Sequence, residues 1–553
     1  MQTSKMIRNP ILPGFYPDPS ICRVGDDFYL VNSSFAFFPA LPLFHSTDLV
    51  QWKQIGNVLD RTGQLPLDGA RATRGLFAPT IRYNKGTFYV VCTNVDNGGN
   101  FFVSATNPEG PWSDPVWLPE AEGIDPSLFF DDDGRVWYTG TRPAPEGPAY
   151  SGNWEIWIRE IDLTAKKDNF RGEAHGIWRG ALRDCIWPEG PHIYRKDGFY
   201  FLFIAEGGTG MDHAITVARS ASLFGPWEGK RSNPILTHRN LGRTADLINV
   251  GHSDLFDDTA GNWWLVLLAS RPYGIEPRRG TNLGRETFMV PVIWEEDWPV
   301  ASHRTGLVEK EYPAPALSGS NGATAGSNGA TAGLTRFPFG IEAVSDKPVR
   351  TVFDQKSLPL EWIALRTSTE KTWSLSERPG YLRLYTLEAN LRDLKPVSFV
   401  CRRQQHFSWK ISAAFEFVPT TANESAGLAL FRGEDFLYRF EICLIDGARS
   451  VRVIRTSGGI DEIVVQRAIR SGLVPGDAVK TILAVIAEGQ NLAFAFGPSP
   501  DSIETLAEGV DAFILSTEKA GGFIGTVLGA YASGNGRASK NHADVAWFEY
   551  GGK

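Results

Sequence analysis

At 553 residues, 42% apolar and 21% charged, the chain is long enough for two large domains and has the composition of a globular protein. Its net charge of −8, with no Lys/Arg cluster, excludes nucleic acid and an anionic membrane surface as partners. No apolar run approaches the length, about 18 residues, that would span a bilayer.

The opening MQTSKMIRNP lacks the apolar core of a secretory signal. The five cysteines are widely spaced with no CxxC pair, which suits free thiols in a reducing compartment and sets a cytoplasmic expectation. From Asp18 onward a unit recurs about every 50–60 residues: DPSICRVGDDFYLV, APTIRYNKGTFYVV, DPSLFFDDDGRVWYTG, EGPHIYRKDGFYFLFIA and HSDLFDDTAGNWWLVLLA. Each unit is a strand, a Gly/Asp turn and an aromatic strand, the signature of a hairpin. Units of this length with several short strands indicate propeller blades, here five. Residues 318–333, SGSNGATAGSNGATAG, hold no large apolar side chain and read as a linker. It separates a propeller expected over 1–317 from a second domain over 334–553. There HFSWKISAAFEFV, AGLALFRGEDFLYRFEICLI and SVRVIRTSG alternate as strands, with no long amphipathic helix, so a β-sandwich is expected. The fold class is therefore all-β.

Innermost strands of a propeller line its axis, so the first residues of the five units, Asp18, Ala78, Asp125, Glu189 and His252, are expected to converge. Asp, Glu and His are also ordinary turn residues, but four ionisable groups in register point to chemistry. Glycoside hydrolysis needs one carboxylic acid to protonate the leaving oxygen and one carboxylate across the ring; a carboxylate that activates water gives inversion. Asp18, between two prolines in GFYPDPS, is assigned general base. Glu189 in WPEGPHIY is assigned general acid, its proton retained by burial and by the charge of Asp125 in GIDPSLFF.

Together NPILPGFYPDPSI, GIDPSLF, WPEGPHIY, GHSDLF and LGRET resemble glycoside hydrolase family 43, in particular its β-xylosidase and α-L-arabinofuranosidase members with a C-terminal sandwich. In the second part, RRQQHFSW and FIGTVLGAYASGNG resemble that family's accessory domain. The resemblance covers nearly the whole chain. It implies a five-bladed propeller, inversion, and the same three roles for Asp18, Asp125 and Glu189. It implies that Arg285 reaches sugar hydroxyls and that Phe523, on a sandwich loop, closes a blind pocket for exo action. It places His252 at the pocket floor, beside a calcium or other divalent ion held largely by water. Phe37 and Phe77 are expected to contact the sugar. Two departures bear on which sugar: Phe77-Ala78-Pro79 stands where the family reads Trp-Ala-Pro, and SSFAFFPALP carries Ala36 and Ala40.

The expectation is an enzyme that releases terminal xylose from β-1,4-xylo-oligosaccharides, with α-L-arabinofuranosidase activity as the alternative or as a second activity. A non-catalytic sugar-binding propeller would lack at least one of the three carboxylates, and a retaining fructan-cleaving enzyme would carry N-D-P-N-G. The expected partner is a small oligosaccharide. No cofactor is required, and a homo-oligomer is left open.

Overall fold

The computed structural model describes residues 5–317, 348–367, 371–469 and 480–553. The expected linker, 318–333, lies outside the described residues. Five antiparallel sheets, four of them four-stranded and that of blade four five-stranded, follow one another along the chain and form the blades of a propeller. Their innermost strands are Ser20–Val24, Leu76–Asn84, Ile124–Phe130, Glu189–Lys196 and Ile248–Asp257. Apolar side chains fill the gaps between blades. Phe129, Trp137, Ile158 and Ile193 join blades three and four, and Val91, Phe102, Leu128 and Tyr138 join blades two and three. The outermost strand of blade three, Phe170–Trp178, is mostly exposed, as an edge strand is.

The ring is sewn shut by its N-terminal segment. Met6–Arg8 pairs with Glu311–Pro313, and Leu12 bridges Thr287 in blade five. The Asn9 side chain donates to the carbonyls of Met289 and Glu309 and accepts from Met289 N–H.

The C-terminal part is two eight-stranded sheets packed face to face. Their core includes Trp362, Phe415, Tyr438, Phe440, Phe494 and Phe548. The only α-helix among the described residues is the single turn Thr517–Ala520. One sandwich sheet ends in a strand from the propeller: Phe37–Phe38 pairs with Trp362–Leu365. Around that strand the two parts share one apolar core, in which Phe15, Phe35, Phe37 and Ala72 meet Leu365, Phe399, Phe431 and Val527.

Candidate active site

The axial end of each innermost strand has the same local irregularity. Asp18, Ala78, Asp125, Gly190 and His252 all adopt left-handed backbone, with φ of 52°, 34°, 54°, 58° and 47°. Proline follows in the first four. In blades two, three and four the ladder skips one residue there, between Phe77 and Thr80, Ile124 and Ser127, and Glu189 and His192. Such a bulge breaks the alternation of faces and re-aims a side chain, here toward the axis. The equivalent of Asp18 and Asp125 in blade four is thus Gly190, not Glu189 as the repeat reading expected. Glu189 stands one residue earlier, still paired opposite Ala205. Glycine at the bulge has a steric reason as well, because a Cβ on Gly190 would lie 2.9 Å from the His252 ring.

The ionisable groups meet in different environments. Asp18 is 5% exposed. Ser33 Oγ donates to its Oδ2 at 2.6 Å, and Arg285 Nη1 donates to its Oδ1 at 3.0 Å. His252 Nδ1 lies 3.9 Å from the same Oδ1. Burial pushes the Asp18 carboxyl up, but Arg285, His252 and Ser33 together outweigh it, so Asp18 sits below its ordinary value. Asp125, 7% exposed, accepts the Gly190 N–H at 3.1 Å and so holds the peptide that joins Glu189 to Gly190. Burial, followed by the charges of Asp125 and Asp18, pushes the Glu189 carboxyl well above its ordinary value. Among the described residues nothing hydrogen-bonds that carboxyl, and Glu189 is partly exposed; its proton is available to something outside the protein.

An apolar wall stands beside them. The rings of Phe35, Phe77 and Phe523 pack on one another with centroids 5.5–6.5 Å apart. The Arg285 guanidinium lies over Phe35 and Phe523, at 5.8 and 5.4 Å. It donates to the Phe523 carbonyl and to Thr209 Oγ1. Phe523 N–H donates to Thr73 Oγ1 at 2.6 Å, which ties the sandwich loop across the propeller's end.

The structure thus brings Asp18, Asp125, Glu189, His252, Arg285, Phe77 and Phe523 together. Phe37 stands apart: its strand pairs with the sandwich sheet and its ring packs on Phe15 at 5.6 Å, forming no ring pair with Phe77 or Phe523. The neighbour that joins the wall is Phe35, which the sequence reading did not single out. Ser33, Thr209 and Gly190 were likewise missed. Gly190 was legible, since aligning the five units on the residue before Pro or Ser, rather than on the acidic residue, places it in register.

A hard divalent cation takes six to eight oxygen ligands. No group of three or more His, Cys, Asp or Glu side chains able to hold a metal occurs among the described residues. Polar groups facing His252 include the carboxylates Asp18 and Asp125, already engaged with Arg285, Ser33 and Gly190, and the rings of His192 and His213. Side chains alone do not supply such a ligand set here, and the expected ion is one held largely by water beside His252.

Comparison with known proteins agrees with this architecture. The family model "Glycosyl hydrolases family 43" matches residues 7–299, and "Beta xylosidase C-terminal Concanavalin A-like domain" matches residues 350–551. A "Xylosidase/arabinosidase" of Butyrivibrio fibrisolvens is 43% identical over 98% of both chains. The "Non-reducing end alpha-L-arabinofuranosidase BoGH43B" of Bacteroides ovatus is 36% identical over 99% of this chain and 95% of its own. A solved structure, the "xylan beta-1,4-xylosidase from Bacillus Halodurans C-125", superposes with a TM-score of 0.84 at 31% identity, covering 99% of this chain and 100% of that one.

Proposed function

This chain belongs to glycosyl hydrolases family 43, and on that premise we propose that it is an exo-acting, inverting glycosidase. It releases terminal xylose from β-1,4-xylo-oligosaccharides and also accepts terminal α-L-arabinofuranose. One arrangement carries the mechanism: Asp18 lies against Arg285, His252 and Ser33, which favour its charged form, while Glu189 is buried beside Asp125 and Asp18, which favours its protonated form. Divergent protonation of two carboxyls is what acid–base hydrolysis requires. Asp18 takes a proton from the attacking water as that water bonds the anomeric carbon. Glu189 gives its proton to the departing glycosidic oxygen. Asp125 fixes the Glu189–Gly190 peptide, and its charge helps keep the proton on Glu189. Arg285 holds sugar hydroxyls through its planar donor fork. Phe77 and Phe523, the partly exposed rings of the wall, take the apolar face of the sugar, with buried Phe35 behind them. The Phe523 loop lies where a longer chain would have to continue, which limits attack to the terminal residue. Proton transfer between these groups and water completes the reaction.

The names of the relatives support both sugars, and the smaller Phe77 in place of tryptophan leaves room at the wall. The test is parallel kinetics on aryl β-xyloside, aryl α-L-arabinofuranoside and xylobiose, with proton NMR of the first-formed sugar. The expected result is turnover of both aryl substrates and an inverted anomer. Retention of configuration, or inactivity on all three, overturns the proposal.

A further inference from the structure

The segment that presents Arg285 leaves blade five between the strands Trp263–Ser270 and Glu286–Glu295. Its last turn, Gly280-Thr281-Asn282-Leu283-Gly284, is held by the sandwich almost residue by residue. Glu518 accepts from Thr281 N–H and from its hydroxyl, at 2.8 and 3.1 Å. Asn282 is 1% exposed and has three partners, each at 2.8 Å. Its Nδ2 donates to the Ala512 carbonyl, its Oδ1 accepts from Gln490 Nε2, and its carbonyl accepts from Thr526 N–H. Ala512 and Thr526 are the two ends of the loop that carries Phe523. The backbones approach too closely for side chains: a Cβ on Gly284 would lie 2.7 Å from Gly525 N, and one on Gly525 would lie 2.3 Å from the Leu283 carbonyl oxygen. The tip of Arg285 returns to the same loop by donating to the Phe523 carbonyl. Both the root and the tip of this long side chain are therefore positioned by one sandwich loop, whose two ends Asn282 joins.

Resting on the glycosidase reading above, we propose that Asn282 is a positioning residue for sugar binding: it pins the Phe523 loop to the Arg285 turn, so that the sandwich sets where the arginine stands. A guanidinium placed in advance keeps affinity that a free one would lose in ordering. Asn282 touches neither the sugar nor the carboxylates. Its loss is felt through Arg285, as weaker binding of substrate and product alike.

The test compares Asn282→Ala, Arg285→Ala and the double variant in the full chain, with aryl β-xyloside as substrate and xylose as inhibitor. Asn282→Ala removes the two side-chain bonds and is expected to raise KM and the inhibition constant of xylose together, by about tenfold, with kcat changing far less. Added to Arg285→Ala, it is expected to have no further effect, because the two act as one unit. A folded Asn282→Ala variant with unchanged KM overturns the proposal, and so does a double variant in which the two effects multiply. Gln490→Ala removes one of the same three bonds from the sandwich side and is expected to raise KM in the same way. If Asn282→Ala fails to fold, a normal KM in Gln490→Ala overturns the proposal instead. Wild-type protein inactive on every aryl glycoside would show that the glycosidase reading has failed, and this inference would fall with it.

Discussion

At the scale of single residues, two carboxyls a few positions from similar prolines end in opposite states because their neighbours differ. Asp18 has Arg285, His252 and Ser33; Glu189 has two acids and no hydrogen bond. Asp18→Asn is expected to lower kcat about 10²–10⁴-fold on every substrate, the usual contribution of a positioned acid or base. Glu189→Gln should do the same on xylobiose but far less on an aryl xyloside, whose leaving group departs without a proton. Wild-type rates in either variant would refute the roles. The pH dependence follows from the directions of the shifts. Glu189 acts in its protonated form, so activity is present below its raised value and is lost as pH rises through it. Asp18 acts ionised, so activity is lost as pH falls through its lowered value. Asp125→Asn removes a charge that holds the Glu189 proton, so the alkaline limb of kcat/KM should move to lower pH while the acid limb moves less. An alkaline limb that stayed in place would show that Asp125 acts only through the Gly190 bond.

At the scale of elements, the bulged strand end is the device that makes the site. Five left-handed residues recur around the axis. Such backbone costs a non-glycine residue on the order of 1–3 kcal/mol, and sites of this kind cluster where function needs them. Blade four uses its glycine so that His252 can pack against it, and it moves the acid one residue upstream. Gly190→Ala is expected to destabilise the protein by about 1–3 kcal/mol in a urea titration, through both the backbone and the clash. It should also depress kcat by displacing His252 and the Asp125 hydrogen bond. Wild-type stability and activity together would contradict the steric account.

At the scale of the whole molecule, propeller and sandwich share a sheet and an apolar core. The Phe37–Phe38 strand lies in the sandwich sheet. Fully buried Arg366 donates from the sandwich to the Ala70 carbonyl at 2.7 Å and to Glu434 at 2.5 Å, and Glu434 in turn accepts the Ala72 N–H. Removing one member of such a pair strands a buried charge, which costs about 3–5 kcal/mol. Arg366→Ala should therefore lower Tm for both parts in a single shared transition, read by calorimetry. Two separate transitions, with the propeller's unmoved, would mean that the interface does not couple them.

Much of this protein was legible in the chain itself. Repeated hairpin signals spell five blades, because strand periodicity and turn chemistry are local. Asp18, Asp125 and Glu189 stand out because prolines adjoin them in recurrent motifs, and Arg285 and Phe523 because they lie in segments that resemble a known family. Tertiary structure alone decided the rest. The register that puts Gly190, not Glu189, at the fourth bulge depends on ladder pairing with a neighbouring strand. That Phe35 rather than Phe37 backs the pocket wall depends on which rings each one meets: both are buried, but Phe35 packs on Phe77 and Phe523 whereas Phe37 pairs into the sandwich sheet and packs on Phe15. The protonation of Glu189 rests on Asp125 and Asp18 in other blades, and the hold of the sandwich on Arg285 through Asn282 on groups more than two hundred residues apart. A linear pattern records which groups are present; burial, hydrogen bonding and charge depend on what the fold sets beside them.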